Sequence, residues 1–183
     1  MKTKFEFNKI RGFTDFLNGL EKTDQLVRIK KSVNPKFELA GIVSKLDKGK
    51  AVLFECVNES KIKVAAKVLR TRYRIALSIS AKNENMIHER IKEAMMNKSE
   101  ITNIVQSNNW QKNSKNLYEL PIVTHFEKDS GAFITSSLVI AKDKETGNQN
   151  LSTHRLLRLD KKSMAIRMVE GRHLHKCFTS AKE

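Results

Sequence analysis

Phe13, Phe16, Leu17 and Leu20 follow Gly12 at the spacing of one helical face, which predicts a short amphipathic helix ending near Glu21 to Thr23. Leu26, Val27 and Ile29 then read as a strand. Asn34-Pro35 has the form of a helix start, an amide side chain able to cap followed by proline at the first helical position. Phe37, Leu39, Ala40, Ile42, Val43 and Leu46 would be the buried stripe of that helix. Lys48-Gly49-Lys50 stops it, and Ala51 to Glu55 and Ile62 to Ala66 read as strands joined by a polar turn at Asn58-Glu59-Ser60. Helix, strand, helix, strand, strand describes a small α/β unit.

Thr71 to Ser80 and Asn83 to Met96 return to helical spacing, the second with Met86, Ile87, Ile91, Ala94 and Met95 as its apolar side. Methionines so placed read as core filler. Residues 98–116 are rich in Asn, Ser, Lys and Gln, with Trp110 as the one large aromatic, and are read as a linker between a domain at 1–97 and another at 117–183. The second domain has the period of strands: Leu117 to Val123, Ala132 to Ala141, Asn150 to Leu159 and Met164 to Val169. Asp143 to Asn148 is a hairpin loop whose Gly147 can take a positive φ, Gly171 breaks the last strand, and a helix starts from Arg172. Such a sheet has unclosed edges, so the fold class is α/β (α+β) with a second domain that is expected to be incomplete.

Thirty-five Lys and Arg against twenty Asp and Glu give a net charge of +15, which points to anionic partners or to a solvated lysine surface. Cys56 and Cys177 are too far apart for a C-x-x-C pair, so neither a zinc ribbon nor a disulfide framework is indicated and a reducing compartment, the cytoplasm, is expected. No run approaches eighteen apolar residues, and the N-terminus lacks the apolar core of an export signal, so no membrane partner is expected.

Candidate chemistry concentrates between Gly147 and His175. Strand alternation puts Asn150, Ser152 and His154 on one side and Thr153 and Arg155 on the other, unless a bulge reunites them. Amide oxygen, hydroxyls and a guanidinium fork together suit a phosphate and metal cradle, and they equally suit an exposed polar strand. Gly171-Arg172-His173 stands where a strand gives way to a helix, so Arg172 and the first amides of that helix can meet an anion, with His173 either a metal ligand or a packed histidine. His173 and His175 are two apart, the wrong spacing for one helix face. His125 and Asp129 read either as an acid/base pair or as anchors of their loop. No Ser-His-Asp elbow, Walker loop or G-x-G-x-x-G is present.

Leu120-Pro121-Ile122-x-Thr124-His125, Asp129-x-Gly131-x-Phe133-Ile134-Thr135-Ser136, Leu138 to Ala141 and Asn150-x-Ser152-x-x-Arg155 occur in this order, followed by Met164 to Arg167 and Arg172-His173-Leu174. The set resembles the UbiD-type, prenylated-FMN-dependent decarboxylases, and the N-terminal helices resemble that family's N-terminal domain. The resemblance implies a small α/β domain followed by the first part of a split β-barrel that binds flavin. It implies a non-oxidative decarboxylase acting on an unsaturated or aromatic carboxylic acid. Prenylated FMN, a divalent metal (manganese or magnesium) and potassium are the implied cofactors.

By the same resemblance Asn150 and His173 are the metal ligands, Asn150, Ser152, Thr153, Arg155, Arg172 and His173 line the cofactor, and Arg155 is the catalytic residue that meets the substrate carboxylate. Ser137 stands where many members have glycine. The family's catalytic glutamates lie beyond the matched segment, so the chain is expected to be an N-terminal portion, inactive alone, with homo-oligomer contacts belonging to the full-length enzyme. A flavin prenyltransferase would supply the cofactor. Ser-Thr-His-Arg and Gly-Arg-His-Leu-His look most like the archaeal branch acting on a phosphorylated anhydromevalonate in isoprenoid biosynthesis.

A rival reading is a basic nucleic-acid-binding module: from Asn150 to Glu183 eight Lys and Arg face three acids. Scarce aromatics and the lack of RNP, KH or helix-turn-helix signatures weigh against it. A third reading makes the chain a non-catalytic half completed by a second polypeptide.

Overall fold

A computed structural model describes residues 12–46, 49–58, 60, 62–97 and 116–182. These form a mixed α/β chain with two three-stranded sheets. It divides into two compact units, one of Met1–Val33 with Gly41–Ser114 and one of Asn34–Ala40 with Lys115–Glu183. The predicted linker and Trp110 lie outside the described residues, apart from Asn116.

In the first unit α1 (Phe13–Lys22) buries Phe16, Leu17 and Leu20, the positions its periodicity marks. They pack with Leu26, Ala51 and Leu53 into one cluster flanked by Ala65, Val68 and Leu77. Strand β1 (Leu26–Ile29) pairs in parallel with β2 (Ala51–Phe54), in the register Leu26 to Ala51, and β2 pairs antiparallel with β3 (Val64–Ala66). All four residues of β2 are buried, as expected of a central strand covered on both faces. Helix α3 (Arg72–Ser78) is capped by Thr71, whose hydroxyl accepts from the Arg74 amide at 3.2 Å. Asn83 caps a single turn at Glu84–Met86 that leads into α4 (Ile87–Met96).

The start predicted for the next helix, with Asn34 as cap and Pro35 as first residue, is three residues early, since α2 spans Glu38–Lys45. Asn34 Oδ1 accepts from the Lys36 amide at 2.8 Å, and the Pro35 carbonyl and Phe37 amide pair with the Thr124 backbone at 3.1 and 3.0 Å. The Pro35 and Phe37 groups are therefore spent on a long-range bridge, and Phe37 takes a φ of 68°, which no helix accommodates. Of the predicted stripe only Leu39 is fully buried, and Phe37 and Leu46 are exposed. In the second unit Leu117 to Val123 is likewise not a strand. A turn at Leu117–Glu119 is capped by Asn116, and only Val123 bridges, to Phe133. Pro121 removes a ladder donor from this segment.

The body of the second unit is a hairpin of β4 (Phe133–Lys142) and β5 (Gln149–Arg158), extended by β6 (Met164–Ile166) on the Leu156–Arg158 end of β5. Asp143 organises its turn: Oδ1 accepts from the amides of Glu145 and Thr146 at 2.9 and 3.2 Å. Gly147 provides the required positive φ, 71°. Asp160 clasps the β5–β6 turn in the same way, accepting from the Lys162 and Ser163 amides. Helix α5 (His173–Lys182) follows Gly171, whose φ is 73°.

Candidate phosphate and metal cradle

Strand period two sorts the side chains of β5 as the sequence predicts. Asn150, Ser152 and His154 are half-buried on one face, and Leu151, Thr153 and Arg155 are exposed on the other. The register shift between Ile134 and Ser137 falls on β4 and leaves the alternation of β5 intact, so it does not reunite the two sets. Ser137, next to that irregularity, donates its hydroxyl to the His154 carbonyl at 2.9 Å.

On the first face the polar groups are linked. Asn150 Nδ2 donates to Ser152 Oγ at 3.1 Å, and Ser152 Oγ lies 2.9 Å from His154 Nε2. With its amide nitrogen engaged, Asn150 keeps its oxygen for another partner. A cavity of about 320 Å³ opens beside it. The turn contributes Asp143, Thr146 and Asn148 to its wall, and β5 contributes Gln149 and Asn150. Across from them stand His173, Lys176 and Cys177 of α5.

Asn150 and His173, 23 positions apart, thus line one cavity. His173 is exposed toward solvent and is the first residue of α5, so it is not a packed core histidine. Arg172 immediately precedes the helix and is exposed, and its carbonyl accepts from the Lys176 amide at 3.0 Å. Sequence reasoning missed the other six lining residues, among them Asp143, Lys176 and Cys177. Their signals were the hairpin, which returns Asp143 to Asn148 through a 2.9 Å backbone bond, and the steps of three and four from His173 that share a helix face. Asp143 is held below the usual carboxylate range, first by the Thr146 and Glu145 amides and more weakly by the charge of Lys176.

Among the described residues no group of three or more His, Cys, Asp or Glu converges on a metal position. An ion here would take the Asn150 oxygen and the His173 imidazole, with remaining positions filled by a ligand's own oxygens. Oxygen with imidazole suits manganese-type ions, and a cavity of this size admits a phosphate and its metal.

Thr153 and Arg155 lie on the opposite face. The Arg155 guanidinium sits 5.5 Å from the centre of the Phe133 ring, and the same side of the hairpin exposes Leu138, Ile140 and Leu151. His125 and Asp129 are loop groups: Asp129 Oδ2 accepts from the Phe126 amide at 3.1 Å, closing a turn, and the His125 ring tilts against Phe126. Cys56 and Cys177 are both free thiols.

Residues 17–95 match the family model of the 3-octaprenyl-4-hydroxybenzoate carboxy-lyase N-terminal domain, and residues 97–183 match that of the carboxy-lyase Rift-related domain. The chain is 32% identical to an anhydromevalonate phosphate decarboxylase of Methanothermobacter thermautotrophicus over 91% of its length, and 32% identical to that of Methanosarcina mazei over 93%. It spans 39% of each of these relatives. The UbiD-class enzyme HmfF from Pelotomaculum thermopropionicum, solved in complex with FMN, superposes with a TM-score of 0.83 at 28% identity, covering 92% of this chain and 39% of that one. A dimeric evolved form of the same enzyme, in complex with prenylated FMN, gives a TM-score of 0.79 at 28% identity, with 92% of this chain and 40% of that one covered.

Proposed function

The chain belongs to the UbiD-type decarboxylase family, whose N-terminal portion it matches, and from that premise we propose that it forms the cofactor-phosphate and metal side of a non-oxidative decarboxylase. The reaction is removal of CO2 from an unsaturated or aromatic carboxylic acid. The observation that carries this reading is that Asn150 and His173 line one and the same cavity. Asn150 supplies a neutral oxygen, His173 an imidazole, and Ser152 fixes the amide from behind. Asn150 and His173 would hold a manganese or magnesium ion, which would supply positive charge for a cofactor phosphate, and potassium would accompany it.

Prenylated FMN, when bound, supplies the electron sink for loss of CO2. The protein residues bind and orient. Arg155 on the far face, backed by Phe133, is the fork proposed for the substrate carboxylate, with Thr153 beside it and Arg172 near the cofactor region. The names of the archaeal relatives favour a phosphorylated anhydromevalonate as the acid. A place in isoprenoid biosynthesis and delivery of the cofactor by a flavin prenyltransferase complete the proposal. A cytoplasmic setting accords with two free cysteines, and among the described residues no helix is long and apolar enough to cross a membrane. By itself the chain is proposed to bind and not to turn over.

Flavin fluorescence titration tests the core of this reading. FMN quenching by the chain should strengthen with Mn2+, and Asn150→Ala or His173→Ala should each weaken it by about 10-fold or more. Equal quenching with and without the ion, or in both variants, would remove the metal and phosphate assignment.

A further inference from the structure

Lys176 is the one Lys or Arg among the residues lining the Asn150–His173 cavity. It stands three residues after His173, so both reach the cavity from one side of α5. The other lining groups are neutral apart from Asp143 and any charge on His173. Asp143 is a carboxylate at neutral pH, and one of its oxygens is engaged by two amides of the hairpin turn. A dianionic phosphate placed here faces three amide side chains, one hydroxyl and a single ammonium, with one acid opposing it.

We propose that Lys176 is the specificity-determining residue of this cavity, selecting a phosphate monoester over the same ligand without phosphate, with Asp143 as its competing intramolecular partner. The proposal deepens the flavin reading by assigning the phosphate end of that cofactor to an ammonium on α5. Lys176 is exposed, so its replacement leaves the packing of α5 on Leu174 and Cys177 in place. Asn at position 143 can still accept from both turn amides, so Asp143→Asn removes the charge and keeps the hairpin.

The test measures two ligand sets on the full chain with Mn2+ present. The first is inorganic phosphate, followed by calorimetry. The second is FMN against riboflavin, followed by fluorescence. Lys176→Met should weaken phosphate and FMN by about 10-fold and leave riboflavin unchanged, Lys176→Arg should restore most of the loss, and Asp143→Asn should tighten phosphate severalfold. The opposite signs at the two positions separate a charge effect from a packing effect. Phosphate binding that is absent in the wild type, or equal in Lys176→Met, overturns the proposal. If FMN binds and its advantage over riboflavin survives in Lys176→Met, the flavin reading stands and Lys176 falls. If phosphate binds through Lys176 but neither flavin binds, the assignment of Lys176 stands and the flavin reading falls.

Discussion

Asn150 and Ser152, two residues apart on one face of β5, are joined side chain to side chain, the amide nitrogen of the first donating to the hydroxyl of the second at 3.1 Å. The bond fixes which end of the Asn150 amide is free, and an oxygen held in place loses less freedom on taking a cation. Ser152→Ala frees the amide to rotate. Manganese affinity, followed by calorimetry, should fall by about 10-fold while Asn150→Ala costs more. Full affinity in Ser152→Ala would reduce the hydroxyl to a bystander.

Arg155 is separated from that pair by the strand itself. Its guanidinium rests over Phe133 on the exposed face, away from the cavity side of β5. Arg155→Ala should therefore leave manganese and phosphate binding within about twofold of wild type, because the charge does not line their cavity. In a full-length family enzyme carrying this segment, the same change should abolish turnover with the fold retained. A tenfold loss of ion affinity would put Arg155 in the cradle, and retained turnover would take it out of the reaction.

Much of this was legible along the chain, for a physical reason that differs from place to place. The buried face of α1 and the two faces of β5 follow from periods of 3.6 and 2, which short contiguous segments express completely. Asn34-Pro35 misled because its capping signal is local, whereas the groups that a helix would use are taken by Thr124, ninety positions away from Asn34. Leu117 to Val123 has apolar density without a partner strand over most of its length. The cavity was half legible: Asn150 and His173 stood out by type, while Asp143 was legible only as part of a hairpin loop and Lys176 went unmarked until α5 brought it to the cavity wall.

Asp143 ties the β4–β5 turn to pH. Its folded-state pKa is lowered from the ordinary value of 3.8, chiefly by the Thr146 and Glu145 amides that bond its charged form. A depressed acid contributes stability that is fully present above its unfolded value and is lost as pH falls through the folded one. Asp143→Ala should lower the Tm at pH 7, and the gap to wild type should narrow as pH drops below 3.8. A gap that is constant down to pH 2 would mean that the carboxylate charge does not stabilise the turn.

In the first unit Arg74 is a buried cation. This guanidinium is fully buried, and its partners are backbone carbonyls: Val68 and Lys67 at 3.0 Å each, and Gly49. Burial lowers its pKa, with Arg70 adding like-charge repulsion, so a lysine there would be still less suited to remaining charged. Only a planar fork reaches three carbonyls contributed by residue 49 and by residues 67 and 68 at once. Arg74→Met strands those carbonyls and should cost about 3 kcal/mol in urea unfolding, and Arg74→Lys, with one donor centre, should recover less than half of it. If methionine were neutral, the charge would be a dispensable substitute for apolar packing, as happens when buried ions are exchanged for well-fitting hydrocarbon.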